Sequence, residues 1–326
     1  MSLKVERAGP LALVVDGGRQ GVRHLGVTQG GAMDWVALGW ANWLLGNAPD
    51  APGIEIMVGG LALVAEADVS VALAGADLGA TLDGEPLALA EPVTLKRGQR
   101  LVFERPKSGL RAYLALPDGI EASAIMGSVT STVREGLGGL DGFGKSLAQG
   151  DVLSPKQDRP SGGDRRLPRR DADNGQRDAD REQGALVTAS DGPLALSLVP
   201  GAQIASFSGT SLYRAFNDVW TLDQRADRMG IRLTGPQLEG SMSGMVSEGI
   251  PLGAVQVPPD GQPIILMNDR QTIGGYPRLG ALTPLACARL AQCLPGTEVR
   301  LVPESPERAR DDHLRQLARW NHDSGN

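Results

Sequence analysis

Short apolar runs separated by turn residues dominate the first third of the chain. Six of them read LALVV (11–15), IEIMV (54–58), LALVA (61–65), VSVAL (69–73), RLVFE (100–104) and RAYLAL (111–116). The pattern resumes later with LALSLV (194–199), residues 253–257, 263–267 and 298–302. Runs of this length, bounded by Gly, Pro and Asp, are typical of β-strands. The pattern therefore predicts a mainly β protein with a few short helices.

Four segments have helical character instead. Asp34 to Leu45 is long, apolar and rich in Trp, and Asp34 is a suitable N-cap. Asn42 would then be a polar group inside an apolar helix, so it needs a hydrogen-bond partner. The other three predicted helices are 208–216, 284–294 with Pro in its first turn, and a mostly polar tail from Ser305.

The segment 156–183 marks the clearest boundary, since eight of its residues are basic and seven acidic, with few apolar ones. Such a segment cannot bury enough surface to offset its ordering entropy, which predicts a disordered loop or linker. A basic arm for nucleic acid is the alternative, but the charges nearly cancel and no aromatic residue is interleaved. We therefore expect an N-terminal β domain at 1–155, a charged linker at 156–185, a β-rich C-terminal domain at 186–302 and a helical tail at 303–326.

Composition narrows the functional classes. The 44 glycines and 22 prolines fit a turn-rich β protein, and a net charge of −6 gives no electrostatic footprint for nucleic acid. The N-terminus has no apolar leader and no run reaches membrane-spanning length, which favours a cytoplasmic protein without a membrane contact. Cys287 and Cys293 fit buried free thiols, and the three scattered histidines predict no metal site.

The stretch 246–277 has the strongest chemical character. It places Glu248, Gln256, Asp269 and Arg270 between short apolar runs, ahead of a Thr-x-Gly-Gly-Tyr-Pro turn. Polar side chains at strand ends, with glycines where the backbone must bend or approach a partner, indicate a site on a rigid scaffold.

Other charged residues have two interpretations each. Arg19 lies in a glycine-flanked turn, either solvated or aimed at a carboxylate or phosphate. Arg228 and Arg232 either pair internally with Asp227 or face a substrate. Glu55, in an apolar strand, is either paired, for instance with one of these arginines, or has a raised pKa. Glu55 and Glu248 are both candidates for acid–base chemistry.

Residues 139–146, GLDGFGKS, match the phosphate-loop pattern formally. That motif requires a buried strand before it and a helix after it. Neither is predicted here, which leaves two interpretations of this segment: a glycine-rich loop that offers backbone N–H groups to an anion, or a plain loop.

Taken in order, several motifs resemble the carboxyltransferase-domain family, also described as allophanate hydrolase subunit 2, the C subunit of ATP-dependent 5-oxoprolinase, and the antagonist of the kinase inhibitor KipI. They are DGGRQGVRHLGVTQGGAMD, ANWLLGN, SVTSTV followed by GLGGLDGFG, ADRMGIRL, SEGIPLGAVQVPPDGQPIILMNDRQTIGGYP and LAQCLPG. Two departures are Lys145, where the family usually has arginine, and the segment 156–183, which resembles an insertion.

The resemblance implies two β-barrel-like (cyclophilin-like) domains and a heteromeric complex. Its expected partners are a B subunit of the allophanate hydrolase subunit 1 type and an A subunit of the lactam-utilisation type. Together they would open a small cyclic amide, 5-oxoproline, to glutamate with ATP bound somewhere in the complex and no metal. The alternatives are a biotin-dependent carboxyltransferase acting on urea or a related amide, and a non-catalytic antagonist of a KipI-like inhibitor.

The resemblance and the residue patterns together give a candidate site, which we expect to converge on one cleft. Its catalytic candidates are Glu248, Asp269 and Arg270. Its candidate substrate-binding residues are Arg19, Asp34, Asn42, Glu55, Ser131, Thr132, Arg228, Arg232, Gln256, Thr272, Gly274, Gly275 and Tyr276.

Overall fold

The computed structural model describes residues 1–87, 91–159, 165–167, 192–240 and 246–321. The chain divides into two compact units. Of the described residues, unit 1 comprises 1–20, 30–87, 91–159 and 165–167, and unit 2 comprises 21–29, 192–240 and 246–321. Residues 21–29, which the sequence prediction grouped with the N-terminal domain, cluster with unit 2. Most of the predicted linker, 156–185, and the last five residues of the predicted tail lie outside the described residues.

Unit 1 contains eleven described strands in two antiparallel sheets. They are β1 (Leu3–Arg7), β2 (Leu11–Val15), β3 (Gly53–Met57), β4 (Ala62–Ala65), β5 (Val69–Asp77), β6 (Thr81–Leu82), β7 (Glu85–Pro86), β8 (Val93–Leu95), β9 (Arg100–Val102), β10 (Ser108–Ala115) and β11 (Val152–Leu153). One sheet has the order β11-β1-β4-β9-β6-β7 and the other β2-β3-β10-β5-β8.

The core of unit 1 is a continuous cluster of Leu, Ile, Val and Ala side chains from both sheets. In the five-stranded sheet, β3 lies between β2 and β10, and Glu55 is opposite Tyr113 on β10. Cross-strand neighbours project to the same face of a sheet, so this register sets Glu55 beside Tyr113. The polar pair is therefore held by strands whose other positions form the apolar core.

Helix α1 (Trp35–Leu44) packs on this sheet and begins as predicted. The Asp34 carboxylate caps it by accepting a hydrogen bond from the Ala37 N–H at 3.0 Å. The partner expected for Asn42 is present: its Nδ2 donates to the Ala51 carbonyl at 2.8 Å, and its Oδ1 accepts from Asn47. Sequence pattern alone therefore predicted both the cap and the need for a partner.

One described part of the charged segment, residues 165–167, contacts the end of this helix. Arg165 Nη1 donates to the Trp43 carbonyl at 2.8 Å, and the guanidinium lies 5.0 Å from the Trp43 ring centroid. Arg166 pairs with Glu91 at 3.0 Å. Cations near a helix C-terminus and over an indole face are both favourable, so these residues are tied to unit 1.

Unit 2 is built on a closed barrel with the order β12-β19-β16-β17-β14-β13-β20. The described strands are β12 (Leu194–Pro200), β13 (Trp220–Ala226), β14 (Gly230–Thr234), β15 (Glu248–Gly249), β16 (Ala254–Gln256), β17 (Ile264–Leu266), β18 (Ile273–Gly274), β19 (Arg278–Leu282) and β20 (Glu298–Pro303). Parallel pairing of β12 with β20 joins the first and last of the seven barrel strands. Strands β15 and β18 form a separate two-stranded ladder.

The described residues of unit 2 contain three further helices: α2 (Gly209–Asn217), α3 (Pro284–Leu290) and α4 (Pro306–Asn321). Ser208 caps α2 and Thr283 caps α3 through their hydroxyls, and Pro284 occupies the first turn of α3 as predicted. The predicted end of α3 at Leu294 is wrong, because the helix ends at Leu290 and a turn follows.

The prediction of a mainly β fold is confirmed, with a closed barrel in unit 2 and the described strands of unit 1 in two sheets. Each apolar run identified in the sequence contains a strand, displaced by a few residues at its ends. Within the described ranges, no helix combines the length and apolarity needed to cross a bilayer.

Candidate functional site

The β15–β18 ladder in unit 2 carries the most accessible of the predicted catalytic carboxylates. Glu248 lies opposite Gly274, and 51% of its side chain is exposed. Its Oε2 accepts hydrogen bonds from Arg278 Nη2 at 2.6 Å and from Gln203 Nε2 at 2.9 Å. Arg278 also donates to the Gly249 carbonyl at 3.1 Å. The carboxylate is therefore held in place through one oxygen while half of the side chain is exposed.

The glycine at 274 is required by close packing. A Cβ at this position would lie 2.4 Å from Ile250 Cδ1 and 3.0 Å from Gln256 Nε2. Gln256 is buried, and its Nε2 donates to the Tyr276 carbonyl at 3.5 Å. Tyr276 and Ile273 are 47% and 60% exposed, so the outer face of the ladder presents apolar surface beside Glu248. Gly275 lies in the same turn, between Gly274 and Tyr276.

Arg228 and Asp269 form a two-bond ion pair. Arg228 Nε donates to Asp269 Oδ2 at 2.9 Å, and Nη2 donates to Oδ1 at 3.1 Å, with both side chains mostly buried. The internal ion pair considered from sequence therefore exists, but with Asp269 in place of Asp227. Asp227 instead accepts from the N–H groups of Met229 and Gly230 and shapes the turn before β14.

Arg232 also has an internal partner, the carboxylate of Asp260. Parallel N–H donors make guanidinium–carboxylate pairs directional as well as strong. Both candidate substrate-binding arginines of unit 2, Arg228 and Arg232, are thus already bonded to carboxylates of the same unit.

Arg270 has a different environment. It is 3% exposed, and its donors go to the Ile250 carbonyl at 3.1 Å, the Met267 carbonyl at 3.2 Å and Gln29 Oε1 at 3.2 Å. Burial, together with the nearby positive charge of Arg23, lowers the pKa of Arg270 to about 10. The group remains cationic at neutral pH but in a costly, desolvated position.

Thr272 stands between Arg270 and the ladder. Its carbonyl accepts from the Ile250 N–H at 3.1 Å, which closes the ladder two residues beyond Glu248. The same carbonyl accepts from Arg23 Nη2 at 3.1 Å. Arg23, which was not among the predicted site residues, therefore contacts the backbone that positions Glu248.

In unit 1, Arg19 is completely buried inside the glycine-rich region. Its Nη2 donates to the Thr130 carbonyl at 2.7 Å and its Nε to the Ile125 carbonyl at 3.2 Å. A Cβ on Gly138 would lie 2.7 Å from Arg19 Nη2. The interpretation of Arg19 as a solvated side chain is wrong, because its guanidinium is buried and the glycine-rich loop packs against it at Gly138.

The buried carboxylate of Asp16 fixes the neighbouring strand end. It accepts from the hydroxyls of Ser128 and Thr130, both at 2.6 Å, and from the N–H groups of Gly18 and Val129, both at 2.8 Å. Sequence reasoning missed this residue, although it precedes the glycines of the turn. It holds residues 128–130, next to the predicted Ser131 and Thr132, against the start of the chain.

Ser131 and Thr132 turn towards the glycine-rich loop. Ser131 Oγ donates to the Lys145 carbonyl at 3.2 Å, and Thr132 Oγ1 donates to the Leu137 carbonyl at 3.3 Å. Both side chains are buried. These hydrogen bonds therefore shape the loop.

The phosphate-loop pattern lacks its structural context. No strand ends at Gly139 and no helix begins after Ser146, since residues 144–148 are irregular. Several backbone donors are used internally, including the N–H of Gly139 to the Val129 carbonyl and of Gly144 to the Gly138 carbonyl. Lys145 is exposed and pairs with Asp141 at 2.9 Å. The residues of this loop do not fit a nucleotide phosphate site.

Glu55 is the centre of a buried network. Its Oε2 accepts from the Met33 N–H at 2.9 Å and the Tyr113 hydroxyl at 2.7 Å, and the Asp34 N–H donates to the same hydroxyl at 2.8 Å. Arg111 supplies the cation at 3.6 Å, not one of the arginines expected from sequence. Burial and the charges of Glu55 and Asp34 raise the pKa of Tyr113 well above its ordinary value, so it remains a neutral donor.

Within each unit, the predicted site residues form groups that share contacts. Around the ladder in unit 2 the structure brings together Glu248, Gln256, Arg270, Thr272, Gly274, Gly275 and Tyr276. In unit 1, Arg19, Ser131 and Thr132 share the glycine-rich region, Asp34 and Glu55 share the Tyr113 network, and Asn42 supports the end of α1. The single cleft expected from sequence stays a prediction.

Sequence reasoning missed Arg278, Gln203 and Arg23. Arg278 directly follows the Gly-Gly-Tyr-Pro turn, which was a usable signal, whereas Gln203 is remote in sequence and carried none.

Among the described residues, no group of three or more His, Cys, Asp or Glu side chains could hold a metal ion.

The chain matches a known protein family. The family model described as carboxyltransferase domain, subdomain A and B, matches residues 25–303. The match covers well over half of the chain, and it includes the ladder, Arg270 and the glycine-rich loop at 139–146. The chain belongs to this family.

Individual relatives agree with that assignment. The chain is 37% identical to the C subunit of 5-oxoprolinase from Escherichia coli (strain K12), over 96% of each chain. It is 33% identical to the C subunit of 5-oxoprolinase from Haemophilus influenzae, over 91% of this chain and 90% of the relative. The crystal structure of K. lactis urea amidolyase superposes with a TM-score of 0.88 at 25% identity, covering 98% of this chain but 20% of that one.

Proposed function

We propose that this protein is the C-type subunit of an ATP-dependent 5-oxoprolinase and opens a small cyclic amide together with partner subunits. The observation that carries the proposal is the 37% identity to the C subunit of 5-oxoprolinase across nearly the whole of both chains. The similarity to urea amidolyase, by contrast, involves one part of a much longer protein.

The β15–β18 ladder is the proposed reaction centre. Opening a lactam by hydrolysis breaks the ring C–N bond, adds the oxygen of water to the carbonyl carbon and adds a proton to the nitrogen. Glu248, fixed by Arg278 and Gln203 yet half exposed, is suited to moving that proton. Gly274 packs against Ile250 and Gln256, which fixes the turn beside Glu248, and Tyr276 forms an exposed wall.

The remaining predicted residues take supporting roles in this proposal. Asp269, bonded to Arg228, holds the loop that carries Arg270, and Gln256 orients the turn through the Tyr276 carbonyl. Arg19, Asp34, Asn42, Glu55, Ser131 and Thr132 are buried and bonded within unit 1. We assign them to shaping the unit 1 surface used in the complex.

ATP is assigned to another subunit of the complex. The formal phosphate-loop pattern at 139–146 has no following helix, and Lys145 is paired with Asp141, which argues against nucleotide binding there. The proposed partners are a B subunit of the allophanate hydrolase subunit 1 type and a lactam-utilisation-type A subunit. The proposed location is the cytoplasm, where ATP is available.

A reconstitution experiment tests this function. The purified chain is mixed with the two partner subunits, ATP and 5-oxoproline, and glutamate and ADP are measured. We expect both products in the full mixture and neither when this chain is omitted. Product formation without this chain, or none in the full mixture, would contradict the assignment.

A second candidate is a carboxyltransferase that moves a carboxyl group from biotin to urea. It is favoured by the superposition on K. lactis urea amidolyase and by the family description. This reaction requires a biotin carrier, so transfer of labelled carboxylate from a carboxylated biotin carrier to urea would support it. Partner binding without turnover would instead favour an antagonist of a KipI-like inhibitor.

A further inference from the structure

Two guanidinium groups of unit 2 converge on one carbonyl oxygen. Arg23, in the 3-10 turn Arg23–Leu25, donates through Nη2 to the Ile250 carbonyl at 2.7 Å. The same Nη2 lies 3.1 Å from the carbonyl oxygens of Gln271 and Thr272. Arg270 donates through Nε to the same Ile250 oxygen at 3.1 Å. The shared acceptor holds two positive charges close together.

This pair differs from the other site arginines of unit 2 in having no carboxylate within ion-pair distance. Arg228, Arg232 and Arg278 each form an ion pair with an acid of unit 2. Among the described residues, neither Arg23 nor Arg270 has an Asp or Glu oxygen within 4.0 Å. Neutral carbonyls satisfy hydrogen bonds but do not neutralise charge, and Asp269, which is already paired with Arg228, offsets the charge of Arg270 only in part.

One donor of the pair also lacks an acceptor. Arg23 Nη1 is buried and makes no hydrogen bond to the described residues. A buried unsatisfied donor is rare in proteins, and its cost is removed by any acceptor that enters. Burial lowers the pKa of Arg23, and burial with the neighbouring cation lowers that of Arg270, while Asp269 opposes this lowering only in part.

The geometry points to a subsite for a carboxylate carried by the substrate, formed by Arg23 and Arg270. This inference rests on the proposed function and deepens it. 5-Oxoproline carries a carboxylate next to its ring, whereas urea does not. Guanidinium groups match the planar, two-oxygen geometry of a carboxylate. The subsite therefore selects acidic lactams over neutral amides.

The position of the subsite agrees with the proposed reaction centre. The Ile250 N–H donates to the Thr272 carbonyl, so the backbone that binds Arg23 is continuous with the ladder bearing Glu248. A substrate anchored at Arg23 by its carboxylate would present its ring to the Gly274 turn. Arg23 is thus a specificity-determining residue in this account.

Equilibrium binding to the full chain assembled with its partners tests the inference. The ligands are 5-oxoproline and 2-pyrrolidinone, which has the same ring without the carboxylate. We expect Arg23→Gln to weaken 5-oxoproline binding by about 10- to 100-fold, the loss typical of a charged hydrogen bond. Binding of 2-pyrrolidinone should stay within about 2-fold, and Arg23→Lys should recover part of the loss.

The matched control is Arg225→Gln, an exposed arginine of the same unit that pairs with Asp223; it should change neither affinity. A parallel loss of both ligands in Arg23→Gln would mean that Arg23 only holds the Ile250–Thr272 backbone, and it would overturn the inference. Equal wild-type affinity for the acidic and the neutral lactam would also overturn it.

A separate readout distinguishes failure of this inference from failure of the proposed function. If the complex converts 5-oxoproline to glutamate but Arg23→Gln leaves its KM unchanged, the subsite is wrong and the function stands. If the complex converts no 5-oxoproline, but acetate protects wild type and not Arg23→Gln against thermal unfolding, the anion subsite stands and the function is wrong.

Discussion

Individual side chains in the two units differ in how far their hydrogen-bonding capacity is used. In unit 1, Asp16 accepts four hydrogen bonds, and Glu55 has Met33, Tyr113 and Arg111 around it. In unit 2, Glu248 is held on one oxygen and half exposed. Buried, fully bonded carboxylates fix a fold, whereas an oriented and accessible one can exchange protons.

The first prediction concerns Glu248→Gln. The amide keeps the size of the side chain but cannot carry a proton, so turnover by the complex should fall by about 100-fold or more. Stability should change by no more than about 1 kcal/mol, because the pair with Arg278 is partly exposed.

Glu298→Gln, an exposed acid on β20, is the matched control and should retain turnover. Turnover and the free energy of unfolding are measured on both variants. If Glu248→Gln turned over as fast as the wild type, Glu248 would have no role in the reaction.

The second prediction concerns Tyr113→Phe. The change removes the hydroxyl that bridges Glu55 and the Asp34 N–H in a fully buried place. We expect a loss of about 1–3 kcal/mol in the free energy of unfolding, measured by urea denaturation. Tyr213→Phe, at a position 66% exposed, should cost much less. Equal effects of the two substitutions would show that the network contributes nothing specific.

The third prediction concerns pH and the thiol of Cys287. Burial raises its pKa from 9.0 to about 12, and Arg270 opposes this only in part. Because the pKa of the thiol is higher in the folded state, the neutral thiol contributes fully to the free energy of unfolding below pH 9.0. This contribution is lost as pH rises towards about 12.

The direction of this pH dependence is checked by measuring the free energy of unfolding of the wild type and of Cys287→Ala at a series of pH values. The stability of the wild type relative to the variant should be constant below the ordinary thiol pKa. Above it, the difference should fall by up to about 1.4 kcal/mol per pH unit. A difference that stays flat or rises with pH would contradict a buried neutral thiol.

At the scale of elements, the glycine-rich loop and the ladder show what a sequence pattern can and cannot predict. Strand positions follow from local alternation, and the cap of α1 from Asp34, because both depend on neighbouring residues. The phosphate-loop pattern would mislead by itself, since its function depends on flanking elements that residues 132–150 do not form. Partners such as Arg111 for Glu55 depend on strand register, which one sequence does not specify.

The fourth prediction concerns the packing of this loop on Arg19. Gly138 has a φ of +76°, and a Cβ there would lie 2.1 Å from the Thr130 carbonyl oxygen. Gly138→Ala should therefore destabilise the protein by about 2–4 kcal/mol, from backbone strain and steric overlap together.

Gly136→Ala separates these two causes. Gly136 also has a positive φ, +65°, but the nearest atom to its Cβ would be the Phe143 carbonyl oxygen at 3.7 Å. It should show only the strain, about 1 kcal/mol. Thermal or urea unfolding of both variants checks the difference, and equal losses would argue against close packing of the loop on Arg19 and Thr130.

At the scale of the whole molecule, family membership came from the order of motifs, and composition alone supported only a turn-rich β protein. The family model covers residues 25–303, which hold most of those motifs. Arg23 lies just outside that range and within the first motif of the resemblance, yet its significance became visible only from its contacts with residues 250–272. Long-range contacts of this kind leave no local periodic signal.

The central claim is that the chain serves lactam opening and not carboxyl transfer to urea. A competition measurement tests it directly. Isotopically labelled 5-oxoproline and labelled urea are offered together to the chain and its co-purifying partners, with ATP and bicarbonate, and the products are identified by mass spectrometry. Our account predicts labelled glutamate, formed only when this chain is present, and unchanged urea. Labelled carboxylated urea with unchanged 5-oxoproline would contradict it.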